Sequence, residues 1–583
     1  MQKRWLLCQA DDPVVAHLSE SLNVPPLISR ILIHRGLSEP EAARRFLSSS
    51  LREDLPAPFL MAGMKEAAER LAHALLKREK LCVWGDYDVD GTTGAATLVL
   101  FLRALGSDPL YYIPHRISEG YGVNEEGIKH LASDGVSLIV TVDCGISNPE
   151  EIKLARALGM DVVIVDHHLP PAALPPATAI LNPHRSDCSF PDKGLCAAGL
   201  VFYLIMGLRA HLRETGWFAR TDEPDIRPYL DVIALGTIAD MVPLRGANRV
   251  FTRRGLQELS RSTRAGILAL KKVAAIASGE IEAGQVGFQL GPRINAAGRV
   301  DAARKVVEML TTDSYETAYA IAQELDENNR ARQTMEAQVL EEALKQIQEK
   351  SLSAEGRYSI VVGADGWHPG VLGIVASRIV ERFYRPTVVV GFDHGQGKGS
   401  ARSIRGLHIT NSFHECAHLL QKFGGHEYAG GLSLAADNFP LFCDRFEEVT
   451  RKQLKPEDLI PVLEIDGVLE FADISFDLAT QIEALEPFGV GNPQPVFMSC
   501  DLEVTERKDF NGCTRLRLKQ GNKTMTGLSF RKEQNPALVP GARIDLAYRL
   551  EKNEWNGTWA LELNVVDARP SAATGPVGIS SDH

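Results

Sequence analysis

The sequence predicts an α/β protein: a parallel sheet covered on both faces, then a long helix, a second α/β unit and a small β-barrel. Three observations predict it. Apolar runs at Leu81–Trp84, Leu110–Ile113, Ser137–Val142 and Val162–Val165 alternate with helical stretches at Gly94–Leu105, Asn124–Leu131 and Glu150–Leu158. Continuous apolar strands between helices belong to a sheet buried on both sides. Tyr315–Ile347 carries Ile321, Leu325, Met335, Val339, Ala343 and Ile347 at helical spacing, a span of roughly 50 Å at 1.5 Å per residue. Beyond Glu464 the pattern turns to short strands at Leu502–Thr505, Thr514–Leu518, Thr524–Ser529, Arg543–Leu550 and Thr558–Val565, which suit a small barrel.

The 583 residues, 44% apolar and 24% charged, support several domains with large cores. Residues 1–70 are read as a helical segment, 71–310 as the first α/β domain and 311–352 as the connecting helix. Residues 353–455 form the second α/β domain, with strands at Ser359–Val362 and Thr387–Val390 around a helix at Leu372–Phe383. Residues 456–570 form the barrel, and 571–583 a disordered tail.

No stretch approaches the ~18–20 apolar residues of a membrane span, and Met1–Leu7 does not open a signal peptide. The nine cysteines are scattered without a C-x-x-C pair, a poor disulfide framework or zinc site. A cytoplasmic protein with no membrane contact is expected. The net charge of −12, from 63 Lys and Arg against 75 Asp and Glu, argues against a nucleic-acid coat protein. It leaves room for a local basic groove and for acidic clusters that hold cations.

The chemistry-bearing residues follow the strands. Asp86-x-Asp88-x-Asp90-Gly91 opens like an EF-hand loop, but its twelfth position is Thr97 and a strand precedes it, so that reading fails. Asp143-Cys144-Gly145 and Asp166-His167-His168 end two further strands, where open α/β sheets bind ligands. Asp240-Met241-Val242-Pro243 follows the apolar run Val232–Ile238. Asp and His suit manganese or magnesium rather than zinc. Carboxylates on one sheet edge repel unless cations neutralise them, and two divalent ions there would support in-line displacement at phosphorus. His414-Glu415-Cys416-Ala417-His418 fits the H-E-x-x-H zinc-protease pattern, but Gln421 and Gly424 occupy the positions its metzincin extension needs. These histidines are read as helix surface.

The four acidic motifs resemble, in order, those of the DHH phosphoesterase superfamily. Gly424-Gly425-His426-x-x-Ala429-Gly430-Gly431 is similar to the signature of its associated domain. Gly291–Arg299 and Leu485–Pro493 match segments of the branch that degrades single-stranded DNA from the 5′ end. The resemblance covers Trp5 to Asp567. It implies a parallel-sheet DHH catalytic domain, a DHH-associated domain and a C-terminal OB-fold. It implies Asp88, Asp90, Asp143, His167 and Asp240 as ligands of two Mn²⁺ or Mg²⁺ ions, with Asp143 bridging and His168 at the scissile phosphate. Asp86 and Asp166 are placed behind the ligands, orienting them. The pyrophosphatase branch carries a His where this chain has Trp84, which disfavours that activity.

The implied function is a single-stranded-DNA-specific 5′→3′ exonuclease of repair and recombination, a monomer working with a single-strand-binding protein and a helicase. A phosphodiesterase of short oligoribonucleotides or cyclic dinucleotides is the alternative. A non-catalytic replication scaffold is disfavoured because the metal ligands are all present. Two segments, Arg249–Lys272 and Arg378–His426, each hold seven Lys and Arg and are read either as a DNA path or as solvated faces. Gly397–Ser403 is read as a small-residue loop able to cradle a phosphate. By resemblance Arg116, Arg299 and Ser400 form a 5′-phosphate pocket, with Arg293, Arg402 and His426 as further substrate contacts. On the barrel, Phe510, Arg515, Arg517, Lys519 and Phe530 are candidate strand contacts.

Overall fold

The computed structural model describes residues 3–115, 119–277, 279–298, 303–510, 512–530, 537–555 and 557–571. Arg116 and Arg299 lie outside them, as does the tail from residue 572. The chain divides into two units, Leu7–Gln323 with Glu464–His583, and Met1–Leu6 with Glu324–Leu463.

The first unit holds the parallel sheet. Its strands are β1 (Leu81–Gly85), β2 (Leu110–Tyr112), β3 (Leu138–Val142), β4 (Asp161–Val165) and β5 (Ala179–Leu181), in spatial order β2-β1-β3-β4-β5. β1 and β3 are buried along their whole length, as the continuous apolar runs predict. Helices α1 (Glu125–Ser133) and α2 (Pro149–Ala157) supply Ile128, Leu131 and Ile152 to one face, where they meet Cys82, Trp84, Ile139, Val162 and Ile164. Trp84 is fully buried there, stacked 4.2 Å from Tyr112. A methyl at Gly127 would lie 2.4 Å from the Trp84 ring. Position 84 is therefore core, whatever residue another branch carries there. The strand order reverses between β1 and β3, the kind of switch point at which open α/β sheets bind ligands beyond the strand C-termini.

The same unit contains a closed five-stranded barrel of β6 (Phe497–Phe510), β7 (Cys513–Gln520), β8 (Lys523–Ser529), β9 (Arg543–Trp555) and β10 (Thr558–Pro570), shut by β6 pairing with β9. Its core is continuous with the N-terminal helices: Leu18, Ile28, Ile31, Leu32 and Phe46 pack with Phe497, Leu502, Leu516 and Tyr548. Arg35 closes the joint, donating to Asp466 and to the Pro493 carbonyl at 2.8 Å each.

The 35-residue helix Tyr315–Glu349 runs to two residues beyond the predicted Ile347. The second unit has a five-stranded sheet in which Ile360–Asp365 pairs parallel with Thr387–Asp393 and the other neighbours are antiparallel. Among the described residues, no helix is long and apolar enough to cross a membrane.

Candidate metal centre

The cluster is built by how the chain leaves each strand. After β1, Asp88 caps helix α3 (Val89–Ala104), its carboxylate accepting the Gly91 N–H at 3.0 Å. A methyl at Gly91 would lie 2.6 Å from the Asp86 backbone, so only glycine lets the helix start this close to the strand end. Asp90 is buried in the first turn. Its two oxygens accept the N–H groups of Ala197 at 2.6 Å and Ala198 at 2.9 Å, where helix α4 (Ala197–Glu214) begins. A helix N-terminus stabilises a carboxylate.

After β3, Asp143 adopts φ +65°, a left-handed conformation that costs a non-glycine residue about 1–2 kcal/mol. The Tyr121 hydroxyl donates to the Asp143 carbonyl at 2.8 Å and Thr141 Oγ1 donates to the Cys144 carbonyl at 2.8 Å, holding the turn. After β4, Asp166 is fully buried. It accepts the backbone N–H groups of Ile146 and His168 and a hydrogen bond from His168 Nδ1 at 2.8 Å. Asp240 ends helix α5 (Leu230–Ala239). The apolar run before it is thus a helix, brought against α3 by Gly236, where a methyl would lie 2.4 Å from Thr93 Oγ1.

These turns converge. His167 Nε2 lies 3.2 Å from Asp143 Oδ1 and 3.8 Å from Asp240 Oδ2. Three sets of donors, Asp143 with His167 and His168, Asp90 with His167 and Asp240, and Asp86 with Asp88 and Asp143, each have atoms within 4.8 Å of one another. Asp143 and His167 belong to two sets each. Asp86, read from the sequence as standing behind the ligands, has a carboxylate oxygen within 4.8 Å of donor atoms of Asp88 and Asp143.

Burial, followed by the charges of Asp88 and Asp90, pushes the Asp143 carboxyl well above the carboxylate range. Burial likewise lifts Asp90 and carries Asp240 up to about 9, with Asp90 and Asp88 adding to it. Burial opposes charge at His168 too, but its hydrogen bond to Asp166 holds the imidazole above its ordinary value. Asp143 Oδ1 and Asp240 Oδ2 are buried without a hydrogen-bond donor. Crowded hard-oxygen donors, two imidazoles and orphaned acceptors fit divalent cations.

The remaining candidates are dispersed. Arg293 Nη1 donates to the Gln289 carbonyl at 2.7 Å. Ser400, Arg402 and His426 lie in the second unit. Gly397–Ser403 is not a loop: Gln396–Arg402 is a strand. Its glycines sit where methyls would lie 2.7 Å from Phe392 and 2.9 Å from Leu432, so close packing, rather than turn formation, explains them. Arg402 donates to Ser400 Oγ at 3.2 Å and to the Ala401 carbonyl at 2.8 Å. His426 is exposed between the strands Lys422–Gly425 and Ala429–Ala435.

The H-E-x-x-H histidines do not share a helix: Ile409–Glu415 ends before His418, which sits in the 3₁₀ turn Ala417–Leu419. The first basic segment begins as structure rather than DNA path. Arg249 is buried, with its guanidinium 3.5 Å above the Phe46 ring, and it donates to the carbonyls of Phe46 and Glu486. Arg253 and Arg254 hold the Leu47 and Ser49 carbonyls. On the barrel, Arg515, Arg517 and Lys519 share the exposed face of β7, and Phe510 and Phe530 are exposed rather than core.

Sequence reasoning missed Tyr121, whose tyrosine hydroxyl carries no motif, and the Cys196–Gly199 start of α4. That run of small residues before an apolar helix was the available signal. It also missed Trp559, stacked by Lys552 at 4.8 Å on the barrel.

Comparison with known proteins agrees with this layout. Residues 80–237 match the DHH family N-terminal domain, 356–452 the DHHA1 domain and 465–567 the RecJ OB domain. Over 574 residues the chain is 38% identical to the single-stranded-DNA-specific exonuclease RecJ of Bacillus subtilis, covering 97% of this chain and 71% of that one. The Escherichia coli protein of the same name is 36% identical over 562 residues, covering 94% and 96%. The crystal structure of RecJ in complex with Mn²⁺ from Thermus thermophilus superposes with a TM-score of 0.81 at 31% identity, over 98% of this chain and 80% of that one. The corresponding Mg²⁺ complex gives 0.75 at 30% identity, over 98% and 79%.

Proposed function

Because this chain belongs to the RecJ family of single-stranded-DNA-specific exonucleases, we propose that it hydrolyses single-stranded DNA stepwise from the 5′ end at the Asp–His cluster. The observation that carries the reading is Asp143, a carboxylate that belongs to two donor sets and so can be shared between two neighbouring cations. Asp88, Asp90, Asp143, His167 and Asp240 would hold Mn²⁺ or Mg²⁺, with Asp86 close enough to join them. When bound, such ions polarise the phosphoryl group and offset its charge.

The chain's own residues set the stage for that chemistry. Asp166 fixes the His168 proton on Nδ1, leaving Nε2 as the nitrogen available to the scissile phosphate. Tyr121 and Thr141 hold the Asp143 turn in its strained conformation, so its carboxylate need not reorganise as charge develops. By resemblance Arg116, Arg299 and Ser400 are assigned to the terminal phosphate, and Arg293, Arg402 and His426 to further substrate contact. The exposed face of the barrel, with Phe510, Arg515, Arg517, Lys519 and Phe530, gives a single strand cations and aromatic faces. A single-strand-specific enzyme meets duplex only after unwinding, so a helicase and a single-strand-binding protein are the fitting partners.

End-labelled strands test this. With a 5′ label, mononucleotide label appears from the first time points; with a 3′ label, it appears only when the strand is nearly consumed. Blunt duplex stays intact. Early mononucleotide release from the 3′ label, or equal attack on duplex, overturns the assignment.

A further inference from the structure

Phe288 is the most exposed large apolar side chain among the described residues, at 86%, and Met241 follows at 70%. Neither belongs to the donor sets of the cluster. Phe288 lies in Val286–Leu290, a single π-helical turn before the helix Gly291–Ala297. Val286 and Leu290 are buried, so the turn is anchored at both ends while Phe288 projects. A π-turn breaks the helical spacing and re-aims a side chain, and such turns recur at functional sites.

The position of the turn gives the exposure a meaning. A methyl at Gly287 would lie 3.8 Å from Ile238 Cγ2, and one at Gly291 would lie 3.4 Å from Ala239 Cβ. The π-turn thus rests on the last turn of α5, which delivers Asp240 to the cluster. At the far end of the next helix, a methyl at Gly298 would lie 2.7 Å from the Tyr87 carbonyl, inside the Asp86–Asp90 turn. The segment runs along the metal cluster from its Asp240 end to its Asp86 end. Met241, next to Asp240, is held at φ +59°. Two exposed apolar side chains beside a buried acidic cluster call for a ligand that is both anionic and flat-faced. A single strand is both, because each phosphate is flanked by bases, and stacking on an aromatic ring tolerates any base.

We propose that Phe288 stacks on a nucleobase next to the phosphate held at the metal cluster, with Met241 as a second apolar contact, and so sets the register of the strand over the metals. The proposal rests on the single-strand exonuclease reading. Its test is the full chain with Mn²⁺, digesting strands in which one nucleotide, at successive positions from the 5′ end, lacks its base.

Phe288→Ala is expected to lower kcat/KM on the intact strand about tenfold. Phe288→Trp keeps it within about twofold, since either ring offers a stacking face. At one abasic position the wild-type rate falls by a similar factor and Phe288→Ala causes no further loss. Met241→Ala gives a smaller loss that disappears at the same or the adjacent position. Phe288→Ala digesting intact strands like the wild type overturns the proposal, as does a defect that persists undiminished at every abasic position. A wild-type chain that digests no single strand removes the exonuclease reading instead.

Discussion

Asp143→Ala is expected to lower single-strand hydrolysis by about 10³-fold or more, a loss of about 4 kcal/mol of transition-state stabilisation. Strand binding should stay within about twofold of the wild type. Asp143 belongs to two donor sets and is the acidic residue closest to His167 Nε2, so its removal disturbs both cation positions at once. Removing a buried carboxylate does nothing to weaken phosphate attraction elsewhere. The substitution also leaves an alanine at φ +65°, so Asp143→Asn is the paired variant. Asn tolerates the left-handed region and preserves the shape while removing the charge. Both variants should lose nucleotide release equally, measured as initial rate at saturating Mn²⁺, with strand affinity read by fluorescence anisotropy. Turnover within about tenfold of the wild type in either variant refutes the bridging role.

Arg249→Ala carries the largest expected loss of stability, about 3–5 kcal/mol. The guanidinium is buried against Phe46 and ties an N-terminal helix to the Glu486–Pro487 segment before the barrel. Truncation removes a donor shared by the Phe46, Glu486 and Pro487 carbonyls and leaves a cavity between three parts of the chain. Arg249→Lys should recover little, because an ammonium cannot span the carbonyls in a planar fork. Thermal unfolding followed by circular dichroism should show the midpoint falling by several degrees in both variants. An unchanged midpoint together with a shallower salt dependence of strand binding would restore Arg249 to the DNA path.

The acidic motifs were legible because each stands at the end of an apolar run, and a parallel sheet gathers its strand C-termini on one edge. The residues that complete the centre were less so. Asp90 is anchored by Ala197 and Ala198 backbone N–H groups more than a hundred positions away, and backbone donors leave no mark on composition. Asp240 follows an apolar run that a strand or a helix fits equally well, and only packing against α3 decides. Gly397–Ser403 has the composition of a loop, yet Val390, Phe392 and Leu432 crowd its glycines into a strand. Charge runs were the least reliable signal. Arg249, Arg253 and Arg254 resemble a nucleic-acid track, but their partners are the carbonyls of residues 46–49 and 486–487.

The central claim is that this buried acidic cluster is a two-cation site, and calorimetric titration of the metal-free chain with Mn²⁺ tests it most directly. Because burial and mutual repulsion raise Asp143 well above the carboxylate range and Asp240 to about 9, with Asp90 shifted in the same direction, the cluster holds protons that entering cations must displace. The affinity should therefore rise with pH, being stronger at about pH 8 than at about pH 5.5, with heats that depend on the buffer's ionisation enthalpy. Two ions per chain with proton release is the predicted result. One ion or none, or uptake indifferent to pH, would contradict it.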